Sequence, residues 1–595
     1  MAIRFVTSVF RSFLLWRLKK VDQKRFVLFL AVLVGVASGL AAVVIKNSVH
    51  FIQSSVDRLI FPDYHNYLYF AFPLLGLLLT VFIVRFFIKE PIGHGIPNTL
   101  YAIARKKSIV KRGRMIYSII TASVTVGFGG STGLEGPTVA TGAAVGSNIG
   151  QWFRMNYKVK TLLIGCAAAS SMAAIFQAPV AAIIFVLEVF MFDLTMYSLI
   201  PLLLSSVSAV ITARYFIGEQ ILFPVDLTYS FDLIQLPYFV VFGALTGLFS
   251  LYFNNVYFGV NNFIKRFKTP YTKAIVGGLS LGIIIFLLPP LYGEGYETIN
   301  ALISDQTQDL LNGSLFYAFR DNIYVVILFV LAIGFLKVFA TSFTFAGGGI
   351  GGVFAPSLFI GAAIGFSFAK IVSVAGIQDL PIANFTLVGM AGLIAGVLHS
   401  PLMAMFLIAE ITGGYELFVP LMITVAISYT TSRVYSRYTV YTKRLAEKGD
   451  LLTRHKDKNV LRRMSASNYL ETNFQELLPE WTFGKLVKEI VTRSKRNIFP
   501  VVDEHGKFLG IVLLDDIREI LFDEDKHDNT KVYDVMTSPP TLIQADDNME
   551  QVMEKFDKTG AWILPVVNGN MFKGFVSKNK LFSAYRKILV SISDE

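Results

Sequence analysis

The chain has 595 residues, of which 54% are hydrophobic and only 16% charged. Soluble domains carry about 25% charged residues, so this composition excludes an ordinary soluble protein and puts most of the chain in lipid. The net charge of +12 does not mark a nucleic-acid binder, because the basic residues gather beside apolar runs, at Arg4 to Arg25 and at Arg105 to Arg114.

Taken in chain order, segment 1–25 is basic and reads as a cytoplasmic flank. The apolar run Phe26 to Ile45 is long enough to cross a hydrocarbon core of about 30 Å. It lacks a short apolar region followed by a small-residue cleavage site, so it reads as the first membrane helix and not as a removed signal. Two spans fit before the basic loop 105–114, which puts that loop on the same face as the N-terminus. Between them GHGIP (93–97) breaks the chain with Gly, His and Pro.

GFGGSTGLEGP (127–137) is a glycine-rich stretch that predicts a helix opening at about Glu135. The first amides of a helix have no intrahelical partner, and that end carries roughly +0.5 charge. Such an end binds an anion without any cationic side chain. When ionised, Glu135 would occupy that anion site itself; when protonated it would leave, a gate made of one acid. In a soluble helix a first-turn Glu only stabilises the dipole, but inside a membrane an ionisable residue is functional by default.

Cys166 is the one cysteine, so neither a disulfide framework nor a cysteine-based zinc site is expected. Its run, LLIGCAAAS, gives it a packing role. Segments 236–256 and 272–289 are long enough to span. Segments 135–150, 178–191, 353–369 and 401–411 are short and interrupted by Gly or Pro. Interrupted helices are tolerated where they line a cavity, and in paired positions they point to a binding site.

The pairing is visible within the chain. GPTVATGAAVG (136–146) resembles APSLFIGAAIG (355–365), and Pro137 and Pro356 lie 219 residues apart. APVAAIIFVLE (178–188) resembles SPLMAMFLIAE (400–410), with an offset of 222 between Pro179 and Pro401. Two ordered matches with nearly equal offsets indicate a duplicated membrane unit, without saying whether the halves are inverted. AGGGIGGVFAP (346–356) is then the counterpart of the first glycine stretch and offers the amides of Val353 and Phe354. Glu188 and Glu410, placed symmetrically at helix ends, read as structural or dimer-contact residues. Tyr441, in YTVYTKRL, supplies a neutral phenolic donor suited to an anion that must leave again.

Beyond Tyr441, residues 443–465 are polar and basic, as a linker is. From about 466 the pattern alternates strand and helix. NIFPVVDEHGKFLGIVLLDDI (497–517) is repeated as WILPVVNGNMFKGFVSKNKL (562–581), with the PVV cores 65 residues apart.

GHGIP, GLEGP, GGVFAP and the late Tyr441, in that order across residues 93 to 441, resemble the four signatures of the CLC family of chloride channels and proton-coupled chloride exchangers. The tail resembles a tandem CBS pair, with VMTSPP (535–540) ahead of the second copy. The resemblance implies an all-α polytopic membrane domain of inverted-repeat architecture at 26–442. An α/β CBS pair at 466–527 and 528–595 follows the linker. It implies an external gating glutamate at Glu135 and anion contacts from the amides of Gly136, Val353 and Phe354 and the Tyr441 hydroxyl. It implies a homodimer in the cell membrane, one pore per subunit, with the dimer contact partly on the 178–188 and 400–410 helices. The N-terminus and CBS tail would be cytoplasmic. The partners are then chloride or a similar monovalent anion and membrane lipid, with no nucleic acid and no required cofactor.

The chain also departs from the family pattern. His94 stands where the best-known exchangers have Ser; its ring either adds an anion contact or turns away. Leu134 replaces a basic residue of many members, which lowers anion attraction. Val189 stands where exchangers carry the internal proton-transfer Glu, and valine carries no proton. The reading therefore favours a passive, voltage-gated-type chloride channel gated by Glu135, with a chloride/proton antiporter of the same fold as the alternative. In the tail, CBS pairs that bind adenine nucleotides use a hydroxyl and an Asp after the second strand. The first copy keeps Asp516 but has Leu513; the second keeps Ser577 but has Lys580. Each half retains one part, which favours a bracing role over nucleotide binding. A CBS-containing cation transporter is the more distant alternative. Hard divalent cations want several clustered oxygens, and the acids of the membrane region are isolated. Neither HExxH nor a phosphate-binding GxxxxGK[ST] is present, so no enzyme and no metal site is expected.

Overall fold

Glycine and proline set where several helices of this chain start or stop. The computed structural model describes residues 17, 19–59, 65–90, 93, 95–192, 195–218, 223, 231–311, 314–447, 461 and 464–593. The chain divides into two units, residues 1–451 and 452–595.

In the first unit α1 is Gln23–Leu59, and α2, His65–Ile83, runs into a π turn, Val84–Ile88. Then follow α3 Gly95–Arg105, α4 Arg114–Gly127, α5 Glu135–Trp152, α6 Tyr157–Phe176, α7 Pro179–Val189 and α8 Met196–Ile217. After these come α9 Leu236–Ile264, α10 Pro270–Leu287, α11 Tyr296–Ile303 and α12 Ile323–Ala346. The last are α13 Phe354–Val374, α14 Ile382–Leu398, α15 Pro401–Ile411 and α16 Phe418–Tyr435. Among the described residues, eight helices are long and apolar enough to cross a membrane. α1 outruns the expected 26–45 because Lys46 and Asn47 end the apolar run without ending the backbone ladder.

The duplication is expressed in the backbone. α6 and α14 each end on a left-handed non-glycine residue, Gln177 (φ 54°) and His399 (φ 56°). In each copy the next short helix then starts at a proline, Pro179 or Pro401, whose fixed φ suits a first helical position. α5 packs on α6 and α13 on α14. These pairs approach closely through small residues: a methyl on Gly361 would overlap the Gly389 carbonyl, and one on Gly365 the Phe385 carbonyl.

α7 and α15 then fix the relation of the halves. Glu410, near the end of α15, accepts from the Val180 and Ala181 amides at 3.0 and 2.8 Å. Glu188, near the end of α7, accepts from the Leu402 and Met403 amides at 3.1 and 3.0 Å. Each carboxylate satisfies two otherwise orphaned first-turn amides of the other helix. That exchange requires antiparallel helices, so the repeat is inverted, and both acids are structural.

The second unit is a pair of α/β modules. β1 (Ile498–Val502) pairs antiparallel with β2 (Phe508–Leu513). β3 (Ile543–Gln544) lies parallel to β4 (Ile563–Asn568), which pairs antiparallel with β5 (Met571–Ser577). The two PVV copies share their register irregularity, between Val501 and Val502 and between Val566 and Val567. The modules exchange flanking chain: Glu471 bridges to Phe575 on β5, and Thr537 bridges to Ile511 on β2. Met464 and Ala466 pack with Ile543, Leu564 and Val566 of the second copy, whereas Val532 packs with Phe483 and Phe499 of the first. The expected 466–527 and 528–595 halves thus cross over at their ends. Of the expected linker, residues 448–460, 462 and 463 lie outside the described residues.

Candidate functional site

Three chain breaks from different parts of the sequence meet at one point. Gly133 and Gly352 exchange two backbone hydrogen bonds, N–H to O at 3.0 and 2.7 Å, so the two mirrored glycine stretches form an antiparallel bridge. The Thr132 hydroxyl donates to the Gly352 carbonyl at 2.8 Å, and the Ile350 amide donates to the Thr125 hydroxyl at 3.1 Å. α5 and α13 both start beside this bridge. A methyl on Gly136 would come within 2.9 Å of the Gly351 carbonyl oxygen. The third break is the GHGIP stretch, whose Gly95 opens α3 against the Gly136 carbonyl.

Glu135 is the first residue of α5 and is 1% exposed. The Tyr296 hydroxyl donates to its Oε1 at 2.7 Å. Among the described residues its Oε2 is buried without a hydrogen-bond partner, and it lies against Gly133 and Gly352. The carboxylate is thus seated on the glycines that join the halves, where any side chain would displace it. The amides of Gly136, Val353 and Phe354 stand at the two helix starts, where no intrahelical carbonyl reaches. Tyr441 is buried in the same unit, and among the described residues its hydroxyl has no hydrogen-bond partner. Helix-start amides without intrahelical partners are donors of the kind a desolvated anion can use.

Of the expected site residues, Glu135, Gly136, Val353 and Phe354 meet at this junction, and Tyr441 is buried in the same unit. His94 lies outside the described residues. Val189 ends α7 and is buried. In the tail, Asp516 is exposed on the short helix Leu514–Ile517. The Ser577 hydroxyl donates to Glu471 at 2.6 Å, and Glu471 also pairs with Arg496 at 2.8 Å. Burial would raise the Glu471 carboxyl, but these two partners outweigh it and hold it below the usual carboxylate range.

Sequence reading missed the segment that covers Glu135. LYGEGY (291–296) carries left-handed glycines at Gly293 (φ 64°) and Gly295 (φ 90°), a conformation glycine adopts without steric penalty. Its Leu291 carbonyl accepts from the Ser131 hydroxyl at 2.7 Å. Its Glu294 Oε1 accepts from the Leu134 amide at 3.1 Å. Lys337, on α12 and 0% exposed, donates to the Gly293 carbonyl at 3.0 Å. The available signal was a carboxylate between two glycines in an apolar region, with a lysine inside a span.

The fold and site define a membrane protein whose two inverted halves bring paired helix starts to one junction. The chain belongs to the voltage-gated chloride channel family, whose model matches residues 75–433. CBS domain models match 466–523 and 532–587. The H(+)/Cl(-) exchange transporter ClcA of Vibrio cholerae serotype O1 (strain ATCC 39541 / Classical Ogawa 395 / O395) is 30% identical over 414 residues, 67% of this chain and 84% of that protein. The ClcA exchanger of Vibrio vulnificus (strain YJ016) matches with the same identity and coverage. Among solved structures, a slow cyanobacterial Cl-/H+ antiporter superposes with a TM-score of 0.61 at 22% identity, covering 72% of this chain and 99% of that one. A eukaryotic CLC transporter superposes with a TM-score of 0.60 at 18% identity, covering 94% and 99%. Both Vibrio relatives are named as H(+)/Cl(-) exchangers, whereas the sequence favours a passive channel with the antiporter as the alternative.

Proposed function

We propose that the chain exchanges chloride for protons across a membrane, with Glu135 as the gate and proton carrier. The observation that carries this reading is the Glu135 carboxylate seated on the Gly133–Gly352 bridge with one oxygen unpartnered. There it competes with an anion for the same helix ends. Protonation removes its charge and frees the place for chloride, which ties proton movement to anion movement. The exchangers among the relatives support the coupling. The second reading, a passive channel, is favoured by Val189, a buried aliphatic residue where proton transfer would need an acid. Purified protein in liposomes with a chloride gradient and no proton gradient tests the choice: an exchanger drives protons against the chloride flow, and a channel moves none.

The amides of Gly136, Val353 and Phe354 and the Tyr441 hydroxyl form the anion contacts in this reading, with His94 as a further candidate. Tyr441→Ala is expected to weaken chloride binding about tenfold, the value of one charge-assisted hydrogen bond of about 1.5 kcal/mol. Calorimetric titration of the solubilised protein with chloride checks it, and an unchanged affinity removes Tyr441 from the site.

In this reading the N-terminus and the CBS tail are cytoplasmic, which the basic flanks support for the N-terminus, and the protein is a homodimer of the cell membrane. The CBS pair braces the protein and needs no nucleotide, a reading supported by the commitment of Ser577 to Glu471. Titration of the full chain with AMP and with ATP is expected to give no binding heat. A saturable heat that disappears in Ser577→Ala would reverse that assignment.

A further inference from the structure

Four ionisable side chains gather around the LYGEGY segment, and the gate as described uses one of them. Glu294 is partly exposed, whereas Glu135 is buried. The Glu294 carboxylate binds the amide of Leu134, the residue just before Glu135. The two acids interact electrostatically, and Lys46 of α1 and Lys337 of α12 act on Glu294 with the opposite sign. Tyr296, two residues after Glu294, holds Glu135 Oε1 and leaves Oε2 unpartnered. The Tyr292 ring packs over Gly129 on the same segment. Carboxylates inside a membrane domain are costly unless they are paired or functional. Two that share one site, balanced by two lysines, can exchange a single proton between them.

We infer that Glu294 is a proton-relay residue that hands protons between solvent and Glu135. The inference rests on the exchange reading above. In the uptake direction a hydronium ion gives its proton to the Glu294 carboxylate and becomes water. The carboxyl proton then passes to the Glu135 carboxylate, directly or through one intervening water, and Glu294 returns to its ionised form. The protonated Glu135 leaves the glycine bridge and chloride enters. The same steps run backwards for release. Tyr296 and the left-handed glycines hold the two acids in register, and Lys337 offsets the charge of Glu294 when it is empty of a proton.

The competing explanation is a brace: Glu294 merely anchors the Leu134 amide. Glu294→Gln separates the two, because the Gln carbonyl still accepts from that amide but carries no proton. Wild type, Glu294→Gln, Glu294→Asp and Glu294→Ala are compared in liposomes, with chloride efflux and chloride-driven proton movement recorded from pH 4.5 to 7.5, an assay window of about three units around the carboxylate and histidine range. The expected result is that Glu294→Gln lowers proton movement, and with it the chloride efflux that needs a protonated Glu135, by about a hundredfold, the weight of one proton-transfer group. Glu294→Asp is expected to restore both in part, and the pH profile of chloride efflux should shift. If Glu294→Gln keeps the wild-type rates and pH profile of both fluxes, the relay is overturned, and loss of both fluxes in Glu294→Ala would then identify a brace. If wild type moves chloride without protons, the exchange reading falls and the relay with it, an outcome distinct from the first.

Discussion

Glu135→Gln is expected to conduct chloride without protons and without response to pH. The amide keeps the shape of the carboxylate and can still accept from Tyr296, but it carries no charge and cannot cycle a proton. Two unit charges about 4 Å apart repel by about 4 kcal/mol at an effective dielectric of 20. That is roughly a thousandfold in anion occupancy, so an ionised Glu135 and a chloride cannot share the junction. The glutamine variant removes this competition at every pH. Chloride efflux from liposomes should be flat between about pH 4 and 8, the range in which a carboxylate of ordinary or raised pKa would titrate. Chloride-driven proton movement should fall to background. A variant that is monodisperse on gel filtration yet conducts no anion would sink the gate.

The second large effect is expected at Gly95→Ala. Gly95 opens α3 directly against the Gly136 carbonyl of the gate helix, and an added methyl would overlap that oxygen. The obstacle is backbone, so it cannot rotate away as a side chain would. Overpacking of this kind costs about 1–3 kcal/mol. Either α3 or the start of α5 must shift, and a shift of α5 misplaces both the Gly136 amide and Glu135. Thermal unfolding of the solubilised protein should occur at lower temperature, and chloride affinity should fall with it. Gly259→Ala is the control. Gly259 lies inside α9 with open space around its Cα, and there alanine should stabilise the helix by about 0.5–1 kcal/mol. If Gly95→Ala behaves like Gly259→Ala in both measurements, the third break has no part in building the site.

Much of the site was legible because its chemistry is written in local backbone requirements. GLEGP and GGVFAP announce helix starts with free amides, and α5 and α13 begin at Glu135 and Phe354. The repeat offset pairs the first glycine stretch with the second. The PVV copies likewise fall on matching strands with the same irregularity. The covering segment was not legible. Tyr296 meets Glu135 across 161 positions, and Glu294 meets Leu134 across 160. Nothing in the local pattern of GEGY states where its acid and phenol will point. The exchange of flanking chain between the tail modules was not legible for a related reason: a single residue such as Thr537 bridges to distant chain with no strand signature of its own.

By itself, then, the sequence determined which residues lie in lipid, where glycine and proline interrupt the helices, that the membrane unit is duplicated, and which helix ends carry unpaired amides. These follow from solvation, from the missing Cβ of glycine and from the fixed φ of proline, all properties of a few neighbouring residues. Only the tertiary structure decided that the halves are inverted, through the reciprocal capping by Glu188 and Glu410. It alone brought Gly133, Gly352 and Gly95 together and set Tyr296 on Glu135 and Glu294 on Leu134. Those relations depend on how close packing brings distant helices together, and close packing is a property of the assembled chain.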